Sequence, residues 1–241
     1  MSAKRMRVFA GPNGSGKTTI IKTLQSEIPF GVYVNADDIQ RTLEVRNVLL
    51  FEQYQLQVQQ QEIETFFKES QFSPVKRNEP NLWQHLTVQD NVLHVDCSID
   101  SYIAADIAEF IRQQLLANGL SFTYETVMSH SSKVEFMERA QRNGYRVYLY
   151  FIATEDPEIN VSRVNVRIAQ HGHAVPSATI KSRYYKSLQQ LKKAIKYSNR
   201  AYIFDNSGSA STIVAEITNG YDVNIIDTNK VPNWFVVHVV H

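Results

Sequence analysis

The chain has 241 residues and a single cysteine, Cys97. One thiol permits no intramolecular disulfide and no cysteine-based zinc site. Excess charge of either sign is also missing: 25 Lys and Arg face 24 Asp and Glu, for a net charge of +1. No global basic field exists to neutralise nucleic-acid phosphates, which argues against a DNA or RNA partner. Long apolar runs are absent as well. None approaches the roughly 18 consecutive residues that a membrane-spanning helix requires, so no membrane span is expected. The opening Met-Ser-Ala-Lys-Arg-Met-Arg lacks the apolar stretch and small-residue cleavage site of a signal peptide, and the expected compartment is the cytoplasm.

What is present is ordinary globular material, 43% hydrophobic and 20% charged, enough to build one α/β domain with an insertion. The charge is unevenly spread. From Lys133 to Arg200, 13 Lys and Arg stand against 5 Asp and Glu. Such a local excess suits an anionic small molecule, although Lys192, Lys193 and Lys196 read more simply as a solvated helix face.

Met6 to Ala10 forms a short apolar strand that ends at a Gly-rich loop, and Thr18 onward reads as helix. Gly31 to Asn35 is a second strand, and Asp38 to Ser70 looks mostly helical, with the glutamines between Gln53 and Gln61 as its polar face. Residues 71–90, with Pro74 and Pro80, form the loosest stretch and belong to an expected insertion over about 45–96 that includes a strand at Val92 to Val95. Ser101 to Asn118 is an amphipathic helix closed by Gly119. Strands follow at Ser121 to Glu125, Tyr145 to Ala153 and Ala201 to Phe204. Helices stand between them at Lys133 to Asn143 and Glu155 to Ala169, and from Ser177, which is placed to cap a long helix striped by Ile180, Tyr184, Leu188, Leu191 and Ile195. Asn219-Gly220 signals a hairpin, and Trp234 to Val240 reads as a final strand. The alternation of strand and helix predicts a parallel sheet with helices on both faces, with a C-terminal β extension at about 212–241; the whole of 1–241 is expected to be one domain.

Gly11-Pro-Asn-Gly-Ser-Gly16-Lys17-Thr18 matches the Walker A pattern in full, in the strand–loop–helix context that the pattern requires. The glycines let successive amides converge on one anion, and the helix start adds its positive end. Gly11, Asn13, Gly14, Ser15, Gly16, Lys17, Thr18 and Thr19 are therefore the candidate nucleotide-binding residues, for ATP or GTP. Lys17 meets the β/γ-phosphates and the Thr18 hydroxyl meets Mg²⁺. A phosphoryl-transfer enzyme also needs a carboxylate to accept the proton of the attacking hydroxyl. Asp37 and Asp38 follow the second strand, where ligands gather in open α/β sheets, and one of them can instead cap the next helix. Asp96, after Val92-Leu-His-Val95, is a weaker rival in a degenerate Walker B setting. Glu125 ends an otherwise apolar strand, which suits a carboxylate facing a cleft. Arg163 and Arg167 are four apart on a helix and share a face; they can neutralise phosphoryl charge or pair with Glu155, Asp156 or Glu158.

Taken in order, Ala10-Gly-Pro-Asn-Gly-Ser-Gly-Lys-Thr-Thr19, Val34-Asn-Ala-Asp-Asp-Ile39, Phe122-Thr-Tyr-Glu-Thr-Val-Met-Ser129, Ser162-Arg-Val164 with Arg167, Gly172-His-Ala-Val-Pro176 and Phe204-Asp-Asn-Ser207 resemble the zeta-toxin family of P-loop kinases over residues 6–207. The resemblance implies transfer of the ATP γ-phosphate to the 3′-hydroxyl of UDP-N-acetylglucosamine. It implies Asp37 as the base, Glu125, with Thr126 and Asp38 beside it, on the sugar-nucleotide, Arg163 and Arg167 as lid arginines, and an antitoxin protein as a partner. The family's second lid arginine has no clear counterpart in Gln170 to Pro176, where His173 stands near its place. Rival readings are a kinase for another small acceptor, and an NTP-binding regulatory protein with little turnover.

Overall fold

The computed structural model describes residues 3–69, 79–169 and 175–240. In chain order the elements begin with β1 (Arg5–Ala10), α1 (Lys17–Leu24), β2 (Val32–Val34), α2 (Ala36–Arg46) and β3 (Val48–Leu50). Next come α3 (Gln60–Glu69), β4 (Leu86–Gln89), β5 (Val92–Val95), α4 (Ser101–Ala117) and β6 (Phe122–Thr126). The rest are α5 (Ser131–Arg142), β7 (Arg146–Ala153), α6 (Pro157–Ala169), α7 (Ser177–Lys196), β8 (Arg200–Asp205), β9 (Thr212–Thr218), β10 (Asp222–Ile225) and a short α8 (Asn233–Phe235). Two compact units result, Met1–Phe30 with Thr123–His241, and Gly31–Phe122. Among the described residues no helix is long and apolar enough to cross a membrane.

The first unit carries a mostly parallel sheet flanked by helices, with strands in the order β10-β9-β8-β7-β1-β6. β7 is parallel to β1 and to β8, whereas β9 and β10 add an antiparallel hairpin. β7 shows why the parallel part is central: Leu149 to Ala153 are all buried, the continuous apolar run of a strand covered on both faces. Phe9 stacks on Tyr150 at 4.5 Å between ring centroids, and Tyr150 on Tyr202 at 5.1 Å, tying β1, β7 and β8 side by side.

The second unit packs α2 and α4 together and adds an antiparallel sheet, β3-β5-β4. The expected helix over 38–70 is interrupted here. Asn47 takes a left-handed conformation (φ 55°) that ends α2, Val48–Leu50 pairs with β5, a single 3-10 turn follows at Phe51–Tyr54, and α-helix resumes only at Gln60. Strand pairing and burial of Leu49 and Phe51 outweigh the local helical pattern. Gln60 is part of no polar face: its side chain donates to the Leu86 carbonyl at 3.1 Å and accepts the Val88 amide at 2.6 Å, fastening α3 to β4.

Three further expectations are corrected. Asn35, not an aspartate, caps α2: its Oδ1 accepts the Asp37 amide at 2.8 Å. Ser177 does not cap α7, because Pro176 (φ −56°, ψ 137°) makes the entry and leaves Ser177 inside the first turn. Trp234 to Val240 is helical rather than a strand, since Pro232 starts a turn that buries the adjacent Trp234 and Phe235 together, as no alternating strand does. Residues 170–174, and with them His173, lie outside the described residues.

Candidate functional site

The chain leaves β1 at Ala10 and turns through residues 11–16 into α1. Gly11, Gly14 and Gly16 all have positive φ. Gly14 shows why side chains are excluded. A Cβ there would sit 2.6 Å from the Asn160 carbonyl oxygen, so the loop lies directly on α6.

The polarity of this loop follows from where its carbonyls go. Gly11 O and Pro12 O accept from Lys17 Nζ at 2.9 and 3.0 Å. Asn13 O accepts from Asn160 Nδ2 at 2.6 Å, and Ser15 O from Asn206 Nδ2 at 2.8 Å. Gly16 O accepts the amides of Thr19 and Ile20 at 3.1 and 3.3 Å. Five of the six carbonyls from Gly11 to Gly16 are therefore taken by donors of the protein. A backbone whose acceptors are satisfied internally presents its amides, and the start of α1 adds amides that helical geometry leaves without partners. Such a surface attracts an anion. The Ser15 hydroxyl is fully buried with no hydrogen-bond partner among the described residues, as expected of a group that completes its bonding on a ligand. Thr18 is exposed at the second position of α1, and no hydrogen bond engages its hydroxyl among the described residues, which leaves it available to a hard cation; Thr19 is exposed beside it.

Around the loop, β6 ends in Glu125 and Thr126. The Thr126 carbonyl accepts the Gly11 amide at 3.3 Å, so this strand end and the loop entrance are brought together. Glu125 is half-buried, and the Thr126 hydroxyl is engaged by the Met128 amide at 3.0 Å. Arg163 on α6 donates to Asn206 O at 2.7 Å and Gly208 O at 3.1 Å, reaching the turn after β8. The surface pairing considered for it goes elsewhere, since Glu158 pairs with Lys181. Arg167, one turn along, is exposed.

In the second unit, Asp37 and Asp38 lie in the first turn of α2 and are both exposed. Asp38 pairs with Arg41, and its carbonyl accepts the Thr42 hydroxyl at 2.9 Å. The Asp37 carboxylate makes no ion pair or hydrogen bond among the described residues. Asp38 also helps raise the Tyr54 hydroxyl to about 12, although burial of that ring contributes more. Asp96 is exposed and paired with His85 Nδ1 at 2.7 Å, at the end of a strand of the small antiparallel sheet.

Sequence reasoning passed over Asn160 and assigned no role to Asn206. Both were open to detection. Asn160 is a fully buried amide one helical turn before Val164, on a face otherwise occupied by apolar Val164 and Ile168. Asn206 sits in the Phe204-Asp-Asn-Ser207 segment. Trp234 was also missed as a structural anchor: its Nε1 donates to Asp205 Oδ1 at 2.9 Å beside the Ser207 hydroxyl, which donates to the same oxygen at 2.8 Å. Glu155, which receives the amides of Asn233 and Trp234, has its carboxyl raised because burial outweighs those bonds.

A solved structure described as AvrRxo1-ORF1:-ORF2 with ATP superimposes with a TM-score of 0.58 and 12% identity, covering 96% of this chain and 64% of that one. The PezAT chromosomal toxin-antitoxin system of Streptococcus pneumoniae superimposes with a TM-score of 0.51 and 14% identity, over 90% of this chain and 72% of that one. Both show a shared fold. An uncharacterized protein of Haemophilus influenzae is 32% identical over 65 residues, which is 27% of this chain and 46% of that protein. The chain thus spans about half the length of that relative and just under two thirds of the AvrRxo1 chain. Residues 100–225, which begin well after the phosphate loop and so constitute a separate observation, match the family described as Zeta toxin. Just over half the chain lies in that match, and the chain belongs to the zeta-toxin family.

Proposed function

We propose that this protein is a Mg²⁺·ATP-dependent phosphotransferase that phosphorylates a hydroxyl of a small anionic acceptor, with a UDP-sugar such as UDP-N-acetylglucosamine as the first candidate. The observation that carries the reading is the loop whose carbonyls are nearly all occupied by the protein, a surface built to receive phosphate. Family membership supports the kinase class, and the neighbour solved with ATP supports ATP over GTP.

In this reading Lys17 turns a remaining N–H toward the phosphate oxygens, and the amides of Gly14, Gly16, Lys17 and Thr18 hold the rest of the charge. The Thr18 hydroxyl would hold Mg²⁺, which would supply positive charge to the phosphates. Asp37 accepts the proton of the acceptor hydroxyl as it attacks. Its uncommitted carboxylate suits that role better than Asp38, which is paired with Arg41. Glu125 orients the acceptor. Arg167 steadies the moving phosphoryl group, because Arg163 is engaged by backbone carbonyls. The toxin-antitoxin system among the structural neighbours supports an antitoxin protein as partner.

The test is a transfer screen with labelled ATP against nucleotide sugars, nucleosides and water. Acceptor-dependent ADP release that disappears in Lys17→Ala, and in Asp37→Asn with ATP binding retained, is the expected result. Turnover unchanged in Lys17→Ala would end the reading; release with water alone would make the protein an ATPase.

A further inference from the structure

Two asparagines grip the phosphate loop from its outer side. On one arm, Tyr184 OH of α7 donates to the Thr154 carbonyl at 2.6 Å, the Thr154 hydroxyl donates to Asn160 Oδ1, and Asn160 Nδ2 donates to Asn13 O at 2.6 Å. Thr154 and Asn160 are fully buried and Tyr184 is nearly so. On the other arm, the Asn206 amide donates to Ala153 O at 2.8 Å, Arg163 holds the Asn206 carbonyl, and Asn206 Nδ2 donates to Ser15 O at 2.8 Å. Both arms start where β7 ends, and both use α6, which contributes Asn160 and, one turn on, Arg163. The Asn160 carboxamide is held at its oxygen, and Asn206 is held at both its backbone N–H and its backbone carbonyl, which fixes where its side chain starts.

We propose that Asn160 and Asn206, with Arg163 bracing the latter, are positioning residues that set the phosphate loop in its anion-binding conformation before the nucleotide arrives. The inference rests on the function proposed above and adds the origin of the loop's preorganisation. The physical reason is a competition for carbonyls. A six-residue loop free of the bracket can turn Asn13 O or Ser15 O inward, and an inward carbonyl repels a phosphate. The bracket removes those conformations from the ensemble. Its loss raises the apparent dissociation constant by the inverse of the fraction of loops still competent. Removing one part-buried hydrogen bond of this kind corresponds to roughly a tenfold change. Arg163 acts here through Asn206 and not on the phosphoryl group.

The experiment measures binding of adenylyl imidodiphosphate with Mg²⁺ to the full chain, by calorimetry, for wild type, Asn206→Ala, Arg163→Ala, Asn160→Asp and Lys17→Ala. Asn206→Ala is expected to bind about tenfold more weakly at every pH. Arg163→Ala is expected to lose affinity in the same direction and to add little to the loss in the double variant with Asn206→Ala, whereas an arginine that met the phosphates itself would add its loss in full. Asn160→Asp carries a distinctive signature. Its carboxylate faces the Asn13 carbonyl in a buried place, which raises its pKa, and only the protonated form can donate as the amide did. The ratio of its dissociation constant to that of wild type is therefore expected to fall as the pH is lowered from about 8 to about 5.5. A general loss of folding would give no such recovery. Wild-type affinity in Asn206→Ala, Arg163→Ala and Asn160→Asp alongside lost affinity in Lys17→Ala would overturn the bracket and leave the nucleotide reading standing. Wild-type affinity in Lys17→Ala would instead overturn the nucleotide reading itself. Should Asn160→Asp fail to fold, Asn206→Ala and Arg163→Ala decide the matter.

Discussion

Gly14→Ala isolates the close approach of the phosphate loop to α6. Two effects add. The φ of +75° places a non-glycine residue in the left-handed region, at roughly 1–2 kcal/mol. The new Cβ would also lie 2.6 Å from the Asn160 carbonyl oxygen and 3.1 Å from Val164 Cγ2, whereas ordinary contact begins at 3.4 Å. Helix backbone is the obstacle, so the loop must retreat by about 0.8 Å, the difference between those two distances. A retreat of that size stretches the 2.6 Å bond between Asn160 and Asn13 toward the limit of hydrogen bonding, at a further cost of up to about 1 kcal/mol. Gly119→Ala is the control: its φ is +70°, and nothing lies within 4 Å of the added carbon. Both substitutions restrict the unfolded chain equally, so that contribution cancels in the comparison. Urea unfolding is expected to show Gly14→Ala destabilised by about 1 kcal/mol or more beyond Gly119→Ala, with similar m-values. Only Gly14→Ala is expected to lose affinity for Mg²⁺·ATP. Equal destabilisation of the two, with normal nucleotide binding by Gly14→Ala, would refute the argument that loop and helix backbone fix each other.

Trp234→Phe keeps an aromatic ring near Phe151 but removes the donor to Asp205, and about 1–2 kcal/mol should be lost in urea unfolding, against about 3–5 for Trp234→Ala; equal losses would mean that packing alone anchors the C-terminal segment. Burial, reinforced by Tyr202, pushes the Tyr150 hydroxyl up to about 12 from its ordinary 10. The unfolded chain then releases this proton first, so stability is complete below pH 10 and falls as the pH rises from 10 toward 12. Tyr150→Phe should flatten that decline in unfolding measured across the alkaline range, and an unchanged decline would remove Tyr150 from it.

Local chemistry made much of this protein readable from its sequence. The phosphate loop is contiguous, and its glycines, lysine and threonine each answer to a backbone or charge requirement within eight residues. β7 could be read because a strand covered on both faces is apolar at consecutive positions. The hairpin of β9 and β10 could be read from Asn219-Gly220, both at positive φ. Legibility failed where a partner distant in sequence decides. Residues 48–50 became strand because β5 pairs with them, and 234–240 became helical because Trp234 and Phe235 bury together.

The site divides along the same line. Sequence alone determined that Gly11 to Thr18 would form a tight glycine-bearing turn from a strand into a helix, because those angles belong to the residues themselves. Tertiary structure decided what holds the loop. Asn160 and Asn206 stand 147 and 191 positions from the carbonyls they bind, and Arg163 turned out to brace a turn 43 residues away. A hydrogen bond depends on distance in space, which sequence spacing does not encode, so an amide buried on an apolar helix face could be noticed in the sequence but its purpose could not be named.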